Sequence, residues 1–180
     1  MNYKLFASLF FIVVSISFTA QSQQVRIGFA PEINLPTGNA SSISGIGFGG
    51  ALKAEIAIAE KYAITANGGY NLFLTKRKLG TKLANIEAIP VKLGFKHYPS
   101  QDFYIEGQAG AAFHMGASSR TSFVWSPGLG TYFKTGSSNN KLEFGLRYEA
   151  WTNTSYGATS TLKTTSFSFI GLKLGYVFGM

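Results

Sequence analysis

Gly171-Leu172-Lys173-Leu174-Gly175-Tyr176-Val177-Phe178-Gly179-Met180 closes the chain, and its reading decides the fold. Leu172, Leu174, Tyr176 and Phe178 fall on every second position, with Lys173 and Gly175 between them. A period of two sends successive side chains to opposite faces of a strand. One face is therefore apolar and aromatic, and the other carries charge and glycine.

The same rhythm runs back through the chain to residue 24, and eight runs are expected in all. Val25, Ile27, Phe29, Ile33 and Leu35 carry the first. Phe48, Leu52 and Ile56 carry the second, opposed by Lys53 and Glu55. Tyr62, Ile64, Tyr70 and Leu74 carry the third. Ile89, Val91, Leu93 and Phe95 carry the fourth, opposed by Lys92 and Lys96. Phe103, Ile105, Phe113 and Met115 carry the fifth, opposed by Glu106, Gln108 and His114. Phe123, Trp125, Leu129 and Phe133 carry the sixth, opposed by Ser126, Gly128 and Gly130. Leu142, Phe144, Leu146 and Tyr148 carry the seventh, opposed by Glu143, Arg147 and Glu149. The first half of the eighth (Phe167, Phe169, Ile170) slips phase, which predicts a bulge. Pro31, Pro90 and Pro127 stand inside three strands and predict local breaks, because proline donates no ladder hydrogen bond.

The connections alternate too. Residues 36–44, 75–85, 116–121 and 152–165 are longer or polar, whereas 59–61, 99–102 and 135–140 are tight. Short turns at one end and longer loops at the other are the habit of transmembrane barrels. The fold class expected is all-β, an eight-stranded antiparallel up-and-down transmembrane barrel with both termini at the short-turn, periplasmic end.

Alternation alone also fits a soluble ligand-binding barrel with its apolar residues inside. The aromatics choose between the two. Tyr62, Phe103, Phe133, Tyr176 and Phe178 lie in the apolar phase near the short turns, and Phe113, Phe123, Trp125 and Tyr148 near the long loops. Two aromatic girdles with aliphatics between them mark a lipid-facing surface. The opposite phase must then be the lumen, with a polar network of Lys53, Glu55, Lys92, Lys96, Glu106, His114, Glu143, Arg147, Glu149 and Lys173. Eight strands leave an interior that side chains can just fill. Buried charges are tolerable there only when paired.

Composition agrees. Charged residues make up 13% and aromatics 15% of the 180 residues, with 21 glycines and no cysteine. Soluble domains average about 25% charged residues. Without cysteine there is neither a disulfide frame nor a thiol for a lipoprotein anchor. Met1 to Lys4 is a basic n-region and Leu5 to Phe18 an apolar run too short for a spanning helix, which together predict a secretory signal peptide. Cleavage after Ser22 is expected, giving a signal peptide at 1–22 and a barrel domain at 23–180. No peptidoglycan-binding domain is expected after the last strand. The formal charge of +8 is spread along the chain, which does not resemble a nucleic-acid footprint.

The signal peptide, the strand rhythm and the closing strand with Tyr176 and Phe178 resemble the outer-membrane β-barrel domain family of Gram-negative bacteria, whose best-known members are the small OmpA- and OmpX-type barrels. The resemblance covers residues 24–180. The terminal Met180 departs from the family's aromatic end. It implies insertion into the outer membrane by the barrel-assembly machinery, and no single activity, since one fold serves many functions.

Candidate chemistry is sparse. His97 and His114 lie in opposite strand phases and there is no cysteine, so no metal site is expected. No cofactor motif is present, and none is expected to bind. His97 and Ser100 are three apart, which puts them on opposite faces of a strand and argues against a hydrolase dyad. Lys76, Arg77, Lys78 and Lys82 cluster in a long loop and are candidates for contact with lipopolysaccharide phosphates. The expected function is a non-enzymatic, monomeric outer-membrane barrel with a structural or surface-interaction role and lipid and lipopolysaccharide as partners. A narrow pore, a lipid-modifying enzyme and a soluble periplasmic barrel are the alternatives.

Overall fold

The computed structural model describes residues 25–78, 81–82, 84–115, 120–136, 140–156 and 162–179. The expected signal peptide lies outside the described residues.

Eight strands follow one another: β1 (Val25–Thr37), β2 (Ser44–Ala59), β3 (Tyr62–Thr75), β4 (Ile86–His97), β5 (Phe103–His114), β6 (Thr121–Lys134), β7 (Lys141–Tyr156) and β8 (Leu162–Gly179). Each pairs antiparallel with its chain neighbours, and β1 pairs with β8 to close the barrel. All-neighbour pairing is the up-and-down topology, and closure leaves the barrel no free edge. Every strand is at least 12 residues long, and a tilted transmembrane strand needs only about 9–11. Arg26 pairs with Gly179, so both described ends of the chain lie at the short-turn end. At the other end a 3-10 turn (Gly38–Ser42) follows β1, and a two-stranded ribbon (Arg77–Lys78 with Thr81–Lys82) follows β3.

Side chains alternate as the pleat demands, and they do so with the solvent preference of a soluble protein reversed. Leu52 and Leu93 are 68% and 67% exposed, whereas Lys96 and Glu149 are 0% exposed. The apolar face is the outside of the barrel. A soluble barrel would carry that face inside.

Three expectations about the strands are corrected. First, no bulge interrupts β8, whose register with β1 and β7 is continuous. Phe169 keeps phase with Gly171, Lys173 and Gly175 and points inward, while Ile170 points outward with Leu172 and Leu174. The apparent slip is an aromatic residue on the inner face. Second, the prolines break no strand. Each costs two residue pairs in one of its two ladders: the β1–β8 ladder skips Ala30 and Pro31, β3–β4 skips Ile89 and Pro90, and β6–β7 skips Ser126 and Pro127. The register is the same on both sides of each gap, because the other ladder still pairs Pro31 with Gly50, Pro90 with Ala112 and Pro127 with Gly107. Third, much of 152–165 is strand, with Asn153 to Tyr156 paired to Leu162 through Thr165. Polar residues on both faces give that hairpin no apolar alternation to read. The register shifts that do occur lie in β2, between Ser44 and Ile46 and between Ala57 and Ala59.

Candidate functional site

The lumen holds the only concentration of chemically active side chains among the described residues. It is built in layers along the barrel axis.

Nearest the short turns, Tyr98, Tyr104 and Tyr132 form an aromatic layer with ring centroids 5.3–6.4 Å apart. Lys96 reaches into it, its Nζ 4.0 Å from the Tyr104 ring centroid. The same ammonium donates to Glu55 at 2.6 Å and to the Tyr132 hydroxyl at 2.7 Å. Glu55 also accepts from Tyr98 and, at 2.9 Å, from Arg26. Behind this layer, Glu143 collects Lys53, the Tyr104 hydroxyl at 2.5 Å and Lys173 at 3.0 Å. Glu106 accepts from Thr65 at 2.7 Å and from Gln108 at 2.9 Å, with Lys173 at 4.0 Å.

A second network sits closer to the long loops. Arg147 pairs with Glu32 and, through Nε at 2.9 Å, with Glu149. Glu149 also accepts from Lys92 at 2.5 Å and from the Trp151 indole at 2.7 Å. Above it an apolar layer fills the bore: Phe73, Trp151 and Phe169, with Phe167, Ala88, Ala112 and Val124. His114 lies on the lumen side, bonded to Ser122 at 2.8 Å and packed edge-on against Trp151 at 5.2 Å. Its partner is Ser122, not Glu106 or Gln108.

Inward glycines make room for these large groups. A Cβ at Gly47 would sit 2.4 Å from the Phe73 ring, and one at Gly130 would sit 2.4 Å from the Tyr104 hydroxyl. Overpacking of this kind costs about 1–3 kcal/mol. Gly47→Ala is expected to lose that much stability. Combining it with Phe73→Ala should give less than the sum of the two losses, because the clash and the packing share a space. Strictly additive losses in urea unfolding would show that Gly47 answers to something else.

Every residue expected in the lumen network is thus inside, and ion pairs bring nine of the ten into two groups; His114 stands apart. The sequence reading missed Arg26, Glu32 and the inward aromatics Phe73, Tyr98, Tyr104, Tyr132, Trp151 and Phe169. Glu32 follows Pro31, which hid its phase with Gly28 and Asn34. On the outside, Tyr62, Phe103, Phe113, Phe123, Trp125, Phe133, Tyr148 and Phe178 are exposed. Tyr176 shares their phase and packs 4.9 Å from Phe178.

The remaining candidates are scattered. His97 stacks on Tyr62 at 4.9 Å, while Ser100 accepts from the Phe103 amide at 3.3 Å and caps its turn, so the two form no dyad. His114 and Ser122 do touch, but Ser122 is 1% exposed and shut off from a substrate. Among the described residues no group of three His, Asp or Glu could hold a metal ion. Lys76 donates to the Ser41 carbonyl at 2.8 Å and ties two loops together. The side chains of Arg77, Lys78 and Lys82 lie outside the described residues.

No protein-family model matches the chain, and no curated protein matches it. Solved structures do. The crystal structure of Neisserial surface protein A matches with a TM-score of 0.61, 13% identity, and 87% of this chain against 97% of that one. The backbone structure of the Yersinia pestis outer membrane protein Ail in a phospholipid bilayer nanodisc matches with a TM-score of 0.52, 14% identity, and 87% of this chain against all of that one. The likeness is one of fold.

Proposed function

We propose that the chain is a non-enzymatic barrel of the outer membrane, inserted by the barrel-assembly machinery as a monomer after removal of residues 1–22. In this reading its lumen is a structural core and its long-loop rim is the working surface. One observation carries it: the apolar and aromatic side chains are outside and the ion pairs inside. That arrangement is stable only if the outer solvent is hydrocarbon, where nothing rewards an exposed charge.

The rim carries the role. Lys76, Arg77, Lys78, Lys82 and Arg120 lie at the long-loop end, with Glu87 the one acid there outside the lumen network. With the termini facing the periplasm, that basic rim meets the phosphate groups of lipopolysaccharide. Lysine and arginine form strong charge-assisted bonds to phosphate. The packed aromatic layers at both ends of the bore speak against a pore.

Fractionation of the native-expressed protein tests the reading. An outer-membrane band that migrates faster unboiled than boiled is expected. A soluble product indifferent to heat would overturn it. In planar bilayers the folded protein is expected to give no unitary conductance, and reproducible single-channel steps would refute the sealed bore.

A further inference from the structure

Between the two ionic networks the lumen is not filled. A cavity of about 20 Å³ lies there, bordered by Glu32, Asn67, Glu106, Gln108, Ser126 and Arg147, with Tyr104 and Lys173 on its short-turn side. Ser126 is 3% exposed, lines this space, and its Oγ has no hydrogen-bond partner among the described residues. A buried hydroxyl left unbonded forfeits the hydrogen bonds it makes to water when exposed. Ser126 stands beside Pro127, where the β6–β7 ladder skips two pairs, so its surroundings are already short of backbone bonds.

We infer that one ordered water molecule occupies this cavity, bonded to Ser126 and shared between the Glu106–Gln108 side and the Glu32–Arg147 side. Size, polarity and charge each argue for it. A cavity needs roughly 10–15 Å³ to hold a water, so this one takes a single molecule and excludes a larger guest. Cavities lined by apolar groups stay dry, but a water with two to four polar partners is retained. This lining supplies donors from Ser126, Gln108, Asn67 and Arg147 and acceptors from Glu32 and Glu106. The nearest charges balance, Glu32 and Glu106 against Arg147 and Lys173, so the site carries no excess charge that would call for a counter-ion.

The water has a structural consequence. It joins two ion-pair groups that no hydrogen bond or ion pair among the described residues links, making one hydrogen-bonded column from Arg26 to Trp151. The tyrosine layer closes the column below and the Phe73–Trp151–Phe169 layer closes it above. Exchange with bulk is therefore hindered at both ends of the bore, which lengthens the residence time.

Water-selective nuclear Overhauser spectroscopy on the folded full chain in detergent micelles tests this. Persistent cross-peaks from water to the Ser126 amide and the Gln108 side-chain amide are expected in the parent protein. They are expected to weaken in Ser126→Ala, which keeps the space, and to vanish in Ser126→Val, whose methyls fill it. Heat-modifiable migration confirms that each variant is folded. A folded parent protein without those cross-peaks would overturn the inference. So would cross-peaks unchanged in folded Ser126→Val. Replacing sodium chloride with caesium bromide separates water from an ion: unmoved Ser126 and Gln108 resonances support water, and a shift confined to them makes the occupant an ion.

Discussion

Replacing Glu143 with glutamine is expected to destabilise the barrel by about 3–5 kcal/mol, a large share of what holds a small domain folded. Glu143 is 1% exposed and is the shared acceptor of Lys53, Lys173 and the Tyr104 hydroxyl. Glutamine keeps the shape and removes the charge. Lys53 and Lys173 are then left in a sealed bore with Glu55 and Glu106 as the carboxylates of that layer, and Lys96 and Arg26 already draw on Glu55. The penalty comes from stranding buried charge, not from an intrinsic strength of the ion pair, since buried pairs gain little over apolar groups of the same shape. Two controls follow. Lys53→Met with Glu143→Leu should recover much of the loss. Asp102→Asn, which breaks the partly exposed pair to Lys141 at 3.2 Å, should cost no more than about 1 kcal/mol. Urea unfolding in lipid vesicles, followed by the fluorescence of outward Trp125 and inward Trp151, measures all three. A Glu143→Gln loss as small as that of Asp102→Asn would show that water reaches the lumen charges freely.

The lumen charges were legible in the sequence because charge and alternation agree. Lys53 and Glu55, Lys92 and Lys96, and Glu143, Arg147 and Glu149 each sit two or four apart, in phase with one another and out of phase with the leucines. The inward aromatics were not legible, for a definite reason. In a protein whose outside is apolar, hydrophobicity alone assigns every aromatic to the outside, and Phe73, Trp151 and Phe169 look no different from Phe123 or Trp125. What marks two of the inward rings is the space across the ladder. Phe73 faces Gly47 and Tyr104 faces Gly130, where an added Cβ would meet the ring, whereas one at Gly107, opposite the outward Phe95, would meet nothing. That signal exists only once the register is known, and register is set by pairing between strands. The same blindness turned Phe167 and Phe169 into an expected bulge. The prolines misled differently. A missing donor removes rungs from one ladder, and a closed barrel holds the register through the other.

Leu93→Arg is expected to cost about 2–4 kcal/mol in a bilayer, and Ile58→Arg at the short-turn rim about 0–1 kcal/mol. Both residues are exposed, Leu93 at 67% and Ile58 at 47%, and neither substitution removes a buried contact. In water the two would be nearly silent, since surface changes away from special features stay within about 0.5 kcal/mol. Leu93 lies inside β4 between Val91 and Phe95, in the middle of the apolar band, whereas Ile58 lies at the end of β2 next to Glu60 and Lys61. Half of a band about 25 Å tall is longer than an arginine side chain, so a guanidinium at Leu93 cannot fully reach the interface. At Ile58 it can. The difference between the two losses isolates depth in hydrocarbon from every effect of charge, size or strand propensity that they share. Unfolding of both variants in thin-chain lipid vesicles gives that difference. A gap of 2 kcal/mol or more places the outer face in lipid. Equal, small losses would mean that water or protein covers the leucines, and the basic rim would then have no membrane beneath it.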